Sequence, residues 1–164
     1  MDKKNDPQNI LFGYSNVPAY GQVGEDDGGF SVAVYEDGRL TYKTYLFDEI
    51  DRTEVEYKIS DGSASAIKAL MKKHQKAIDT FDCHLDNGSC DGSGNFFIFN
   101  GKQVITWNIC YTNPLFFIFC KEYLPVAKQE NRILSLFFAV TKILKNDGIN
   151  LNLDRVNFRK GSSY

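Results

Sequence analysis

Residues 95–111 read NFFIFNGKQVITWNICY, two alternating runs on either side of Asn100-Gly101. Asn-Gly readily takes the two positive φ angles of a type I′ turn, so the runs are predicted to fold back on each other as an antiparallel hairpin. Its two faces are what constrain the fold. Phe96, Ile98, Ile105, Trp107 and Ile109 fall on one side, and Phe97, Phe99 and Val104 on the other. A strand pair that is apolar on both sides belongs near the middle of a sheet or under other layers. The rest of the chain has to supply that cover.

Two other stretches supply strands. FSVAVYEDGRLTYKTYLF, residues 30–47, alternates around Asp37-Gly38. A two-residue loop would set Val34 against Thr41, whereas a three-residue loop with Gly38 left-handed sets Val34 against Leu40, Val32 against Tyr42 and Phe30 against Thr44. Only the second register gathers one apolar face, and it is the one expected. TEVEYKIS adds a strand with Val55, Tyr57 and Ile59 on one side and Glu54, Glu56 and Lys58 on the other.

The helical period appears after Ser60. Ile67, Leu70, Met71, His74, Ile78 and Phe81 share one stripe, with Ser60, Asp61 or Ser63 able to cap its start. TNPLFFIFCKEYLP reads as a further helix that opens at Asn113-Pro114 and stops before Pro125. A third helix, about 130–146, has Ile133, Phe137, Val140 and Leu144 on its stripe and ends at Gly148. INLNLDRVNF then reads as one strand with a bulge near Asp154-Arg155.

The order is therefore β-β-β-α-β-β-α-α-β: an α+β fold, mostly antiparallel, with helices on one sheet face. At 164 residues the chain suits one core, since single cores usually span about 100–150 residues. Residues 30–158 are expected to form that domain. Residues 1–29 are expected to be an N-terminal arm or loop, and 159–164 a frayed tail.

Chemistry is concentrated in CHLDNGSCDGSGN, residues 83–95. Zinc sites usually draw on tight ligand pairs, but six residues separate Cys83 from Cys90, and adjacent Cys83 and His84 suit one ion poorly. A regular calcium loop starting at Asp86 would need a Glu at its twelfth position, where Phe97 stands. A less regular loop through Asp86, Asn87 and Asp91 remains open, as does a Cys83–Cys90 disulfide in an oxidising compartment. The glycines match no phosphate-binding fingerprint and precede a strand, not a helix. The segment reads as a joint whose Asp, Asn, Gly and Ser residues satisfy backbone groups. No cofactor is expected.

Charge narrows the partners. The net charge is −2, with ten basic and fifteen acidic residues in 1–82 against nine and six in 83–164. A nucleic-acid binder shows a basic excess, so no nucleic acid is expected, and Lys68, Lys72, Lys73 and Lys76 read as the solvated side of a helix. The N-terminal MDKKNDPQN lacks the apolar core of a secretory signal, and no apolar run approaches the roughly 20 residues that cross a bilayer. The expectation is a cytoplasmic protein with no membrane association and with free thiols at Cys83, Cys90, Cys110 and Cys120.

These features favour a non-catalytic protein-binding module, such as a small inhibitor, an immunity-type protein or a regulatory accessory. A basic protein partner would dock on the sheet face away from the helices. The candidate binding residues are Glu54, Glu56, Tyr35, Tyr45, Asp86 and Asp91, with Tyr14 and Tyr20 as further exposed aromatics. Small size, acidity and an aromatic-rich α+β build make the chain similar in outline to immunity-type proteins. The alternatives are a small hydrolase or transferase using Cys83, His84 or His74, and a ligand carrier with an aromatic pocket under the Asn-Gly hairpin.

Overall fold

The computed structural model describes residues 9–17, 29–45, 54–85, 94–109 and 123–158. Strands β1 (Ile10–Val17), β2 (Gly29–Tyr35), β3 (Arg39–Tyr45) and β4 (Glu54–Lys58) lead into helix α1 (Asp61–Ile78). Strands β5 (His84–Leu85), β6 (Gly94–Phe99) and β7 (Lys102–Trp107) follow, then helix α2 (Leu124–Leu144), a short 3-10 turn (Lys145–Asp147), β8 (Ile149–Leu151) and β9 (Val156–Phe158). Seven strands make one sheet in the order β4-β3-β2-β1-β6-β7-β5, antiparallel except for the β5–β7 pair. The fold is α+β, as expected.

The β2–β3 hairpin takes the predicted register, with Phe30 opposite Thr44, Val32 opposite Tyr42 and Val34 opposite Leu40. Gly38 sits at φ +79°, where a side chain would be strained. Asn100 and Gly101 both have positive φ, as a type I′ turn requires. Ser60 is the cap of α1, its Oγ accepting a hydrogen bond from Ser63 N–H at 3.2 Å. Ile67, Met71, Ile78 and Phe81 are buried along the predicted stripe, while Leu70 and His74 are half-buried on its margins.

Three expectations need correction. Within the segment read as an arm, residues 10–17 form β1, the middle strand of the seven. Leu11 and Phe12 are both buried, so the strand lacks the alternation that marks a half-wet strand, and Gly13 interrupts its apolar run. Pro125 does not end a helix but lies in the first turn of α2, where its missing N–H would have had no intrahelical partner. The final alternating run is two strands, not one with a bulge. Ile149 pairs with Phe158 and Leu151 with Val156 in a separate two-stranded sheet. Asn152 N–H donates to the carbonyl of Arg155 at 2.9 Å, closing the turn between them. The predicted helix at 113–122 and the tail lie outside the described residues.

The two described helices, α1 and α2, cover one sheet face. There Phe12, Tyr14 and Phe97 meet Phe137 of α2, with ring centroids 6.1 Å, 4.9 Å and 5.9 Å away, and Phe99 packs against Phe12 and Phe97. Such tilted and edge-on pairs each add about 0.5–1.5 kcal/mol beyond area burial. A polar strip crosses this apolar layer. Thr106 donates to the buried carboxylate of Glu130 at 3.1 Å, and Asn95 stands opposite Thr106. The phenol oxygen of Tyr14 lies 2.8 Å from Asn95 Oδ1 and 2.6 Å from the carbonyl of Leu153. One phenol has one proton. The two acceptors share it, the shorter bond going to the Leu153 carbonyl.

Candidate docking face

The side of the sheet away from the helices divides into an apolar half and a charged half. On β6 and β7 the inward positions are Asn95, Phe97, Phe99, Val104 and Thr106, so period-two alternation sends Phe96, Ile98, Ile105 and Trp107 outward. Phe96 faces Ile105 directly across the strand pair. Glycines on the neighbouring strands let the large side chains lie flat. A Cβ on Gly13 would come within 3.1 Å of Ile98, and one on Gly94 within 3.1 Å of the Trp107 ring. Phe96, Ile98 and Ile105 are half-buried and Trp107 is 42% exposed. On an antiparallel sheet with one solvated face, these positions are ordinarily polar. Among the described residues, no helix or strand packs over them.

The charged half lies on β3 and β4. Lys43 Nζ is 3.0 Å from Glu54, with which it pairs across the strands. Arg39 Nη1 is 3.8 Å from Glu56 and its Nε is 3.9 Å from Asp37, while the guanidinium stands 3.8 Å above the Tyr35 ring. Lys58 Nζ donates to the carbonyl of Asp37. Glu54 and Glu56 keep 46% and 64% of their side chains exposed. They lie at the sheet edge on the face opposite α1 and α2, on the side expected.

The tyrosines are placed differently from expectation. Tyr14 is only 1% exposed and belongs to the core, and Tyr35 is buried under Arg39. Tyr45 ends β3, but its side chain is outside the described residues, as are Tyr20, Asp86, Asp91, Cys90, Cys110 and Cys120. The larger apolar members of this face, Phe96, Ile98, Ile105 and Trp107, were not among the expected binding residues. Their signal is the two-sided apolar hairpin, whose pattern by itself predicts burial on both faces.

Cys83 and His84 are exposed neighbours at the start of β5. His84 pairs with Ile105 and shares its outward face, whereas His74 lies on α1 in the layer beyond the other face. The described residues therefore do not bring the two imidazoles to one place. No group of three or more His, Cys, Asp or Glu that could hold a metal occurs among them.

Beneath the Asn-Gly hairpin, the place expected for a carrier's aromatic pocket, the space is taken by the rings of Phe12, Phe97, Phe99 and Phe137. A cleft of about 590 Å³ opens at the start of α1, lined by Tyr57, Ser60, Asp61, Asn146, Asp147 and Ile149 among others. Asp147 Oδ1 accepts from Ser60 N–H there at 3.3 Å. Behind it Phe158 stacks on Tyr57 at 4.3 Å and meets Tyr42 edge-on at 5.3 Å. Burial, and then the neighbouring Tyr57, push the Tyr42 phenol above its ordinary range.

No described helix is long and apolar enough to cross a membrane. A scan against models of known protein families finds no match, and a search among curated proteins finds no relative.

Proposed function

We propose that the chain is a non-catalytic protein-binding module, of the kind used by small inhibitors, immunity-type proteins and regulatory accessories, and that it docks its partner on the sheet face opposite α1 and α2. The observation that carries this reading is the outward line of Phe96, Ile98, Ile105 and Trp107. Partner surfaces have an apolar, aromatic-rich centre and a polar rim, and here that centre is flanked by the Lys43–Glu54 and Arg39–Glu56 pairs. From β4 to β7 the face spans five strand spacings, roughly 24 Å, which is of the order of a standard interface. The partner is a protein with an apolar patch flanked by basic residues that meet Glu54 and Glu56. Nucleic acid is disfavoured, because these acidic side chains would oppose phosphates. A cytoplasmic setting, with Cys83 as a free thiol, completes the reading.

The test is affinity capture from cells that express the protein, using wild type, Ile105→Lys and Phe138→Lys as baits. Phe138 is 49% exposed on α2, so it controls for general loss of surface hydrophobicity. The expected result is one dominant protein retained by wild type and Phe138→Lys and lost by Ile105→Lys, with all three baits sharing one urea midpoint. Equal retention by all three would overturn the reading. Labelling of Cys83 by a mild thiol reagent much faster than expected for an exposed thiol would favour the enzymatic alternative.

A further inference from the structure

We infer that the outer edge of β4, which no described strand pairs with, accepts an added strand: an extended partner segment with basic side chains opposite Glu54 and Glu56, an acidic one opposite Lys58, and apolar ones between. This deepens the docking reading and rests on it.

The edge follows from the hydrogen-bond phase of the sheet. Ile59 N–H donates to the Gly38 carbonyl at 3.0 Å. Hydrogen-bonded pairs alternate along an antiparallel ladder, so Val55 and Tyr57, opposite Tyr42 and Leu40, bond inward to β3. The N–H and C=O groups of Glu54, Glu56 and Lys58 then point away from the sheet. β4 is the end strand of the seven, and no described strand takes these groups up. An edge of this kind is the template for strand addition, in which main-chain bonds supply affinity and alternate side chains supply specificity.

The side chains state what can join. Charges on an edge strand discourage pairing with most strands, and they admit one of complementary pattern. Among the described residues Glu54 and Glu56 are each held by a single cation, and a carboxylate offers about four acceptor positions, so both can take a second donor. Between them, Val55 and Tyr57 are half-buried and offer apolar contact to the positions in between. A second copy of β4 fits less well, since antiparallel pairing that sets Glu54 against Lys58 also sets Glu56 against its own copy. Like charges directly opposite are destabilising.

The experiment is amide hydrogen exchange by NMR on the whole chain, with a capped Gly-Asp-Val-Lys-Val-Lys-Gly peptide as probe. Without peptide, the Glu56 and Lys58 amides exchange fast, and those of Val55, Tyr57 and Ile59 slowly. Saturating peptide is expected to slow Glu56 and Lys58 at least about tenfold. A version with the Asp and Lys residues exchanged, or N-methylated at those three positions, should slow them less than twofold. The Glu54→Lys, Glu56→Lys double variant should reverse the preference between the two charge patterns. Equal protection by both charge patterns, or none by either, would overturn the inference. So would protection that grows with protein concentration alone, which would assign the edge to a second copy. A failed peptide alongside Ile105→Lys still losing its captured partner would sink the edge and leave the docking face standing.

Discussion

Tyr14 looks in sequence like an interface aromatic, yet its structural place makes Tyr14→Phe a sensitive test of the core. The phenol links two elements far apart in sequence: Asn95 on β6, at 2.8 Å, and the Leu153 carbonyl in the β8–β9 turn, at 2.6 Å. Removing the oxygen keeps the ring contacts with Phe30, Phe97 and Phe137. It leaves Asn95, 4% exposed, one hydrogen bond short inside the core. That loss costs about 1–3 kcal/mol, and the half-buried Leu153 carbonyl, which water can reach, adds about 1 kcal/mol. We expect a total near 2–4 kcal/mol. With a urea slope of about 2 kcal/mol per molar, the unfolding midpoint should fall by about 1–2 M. Tyr42→Phe is the control, because Tyr42 is only half-buried, and it should move the midpoint little. Amide exchange should accelerate selectively at residues 149–158, whose turn loses its tie to the sheet. A Tyr14→Phe midpoint within about 0.2 M of wild type would refute this reading of the buried strip.

Other consequences can be checked in the same way. Because burial raises the Tyr42 phenol above its unfolded value, folding favours its protonated form; that stabilisation is complete below the unfolded value and is lost as pH climbs through the folded one. Urea midpoints measured from pH 9 upward should therefore fall more steeply for wild type than for Tyr42→Phe, and parallel curves would contradict the burial of that phenol. Ser60→Ala removes the oxygen that accepts from Ser63 N–H and should cost about 1 kcal/mol, read as a midpoint shift and as faster exchange in the first turn of α1. Gly101→Ala meets no atom within 4 Å, so its cost, about 1 kcal/mol, should come only from holding φ near +80°; a neutral result would mean that the turn is not type I′.

The parts of the fold legible in sequence are those where local chemistry and tertiary burial agree. Asp37-Gly38 allowed two loop lengths, and the demand for one apolar face chose between them. Ser60 and the stripe from Ile67 to Ile78 marked α1 because cap and period coincide. β1 was hidden for the opposite reason: its ladder shifts register between Ile10 and Phe12, so Leu11 and Phe12 are buried in succession without alternation, and Gly13 reads as a loop residue until Ile98 is seen lying across it. Pro125 was misread because the same residue that stops one helix can begin another. At the candidate site, Glu54 and Glu56 were found because alternation alone sends them outward. Phe96, Ile98, Ile105 and Trp107 could be assigned to one face but not to a solvated one, since which side of a two-sided apolar hairpin the helices cover is a tertiary fact. Tyr14 and Tyr35 failed as exposed aromatics because their ring faces were already taken, by Phe137 and by Arg39.

Docking on the sheet is tested most directly by oxidative footprinting of the chain, free and with its captured partner, read at individual aromatic side chains. Trp107 and Phe96 should become protected in the complex, while Phe138 and Tyr123, equally open on and beside α2, react as before. Protection that falls instead on Phe138 and Tyr123, with Trp107 unchanged, would place the partner on the helices and contradict the assignment of the sheet face.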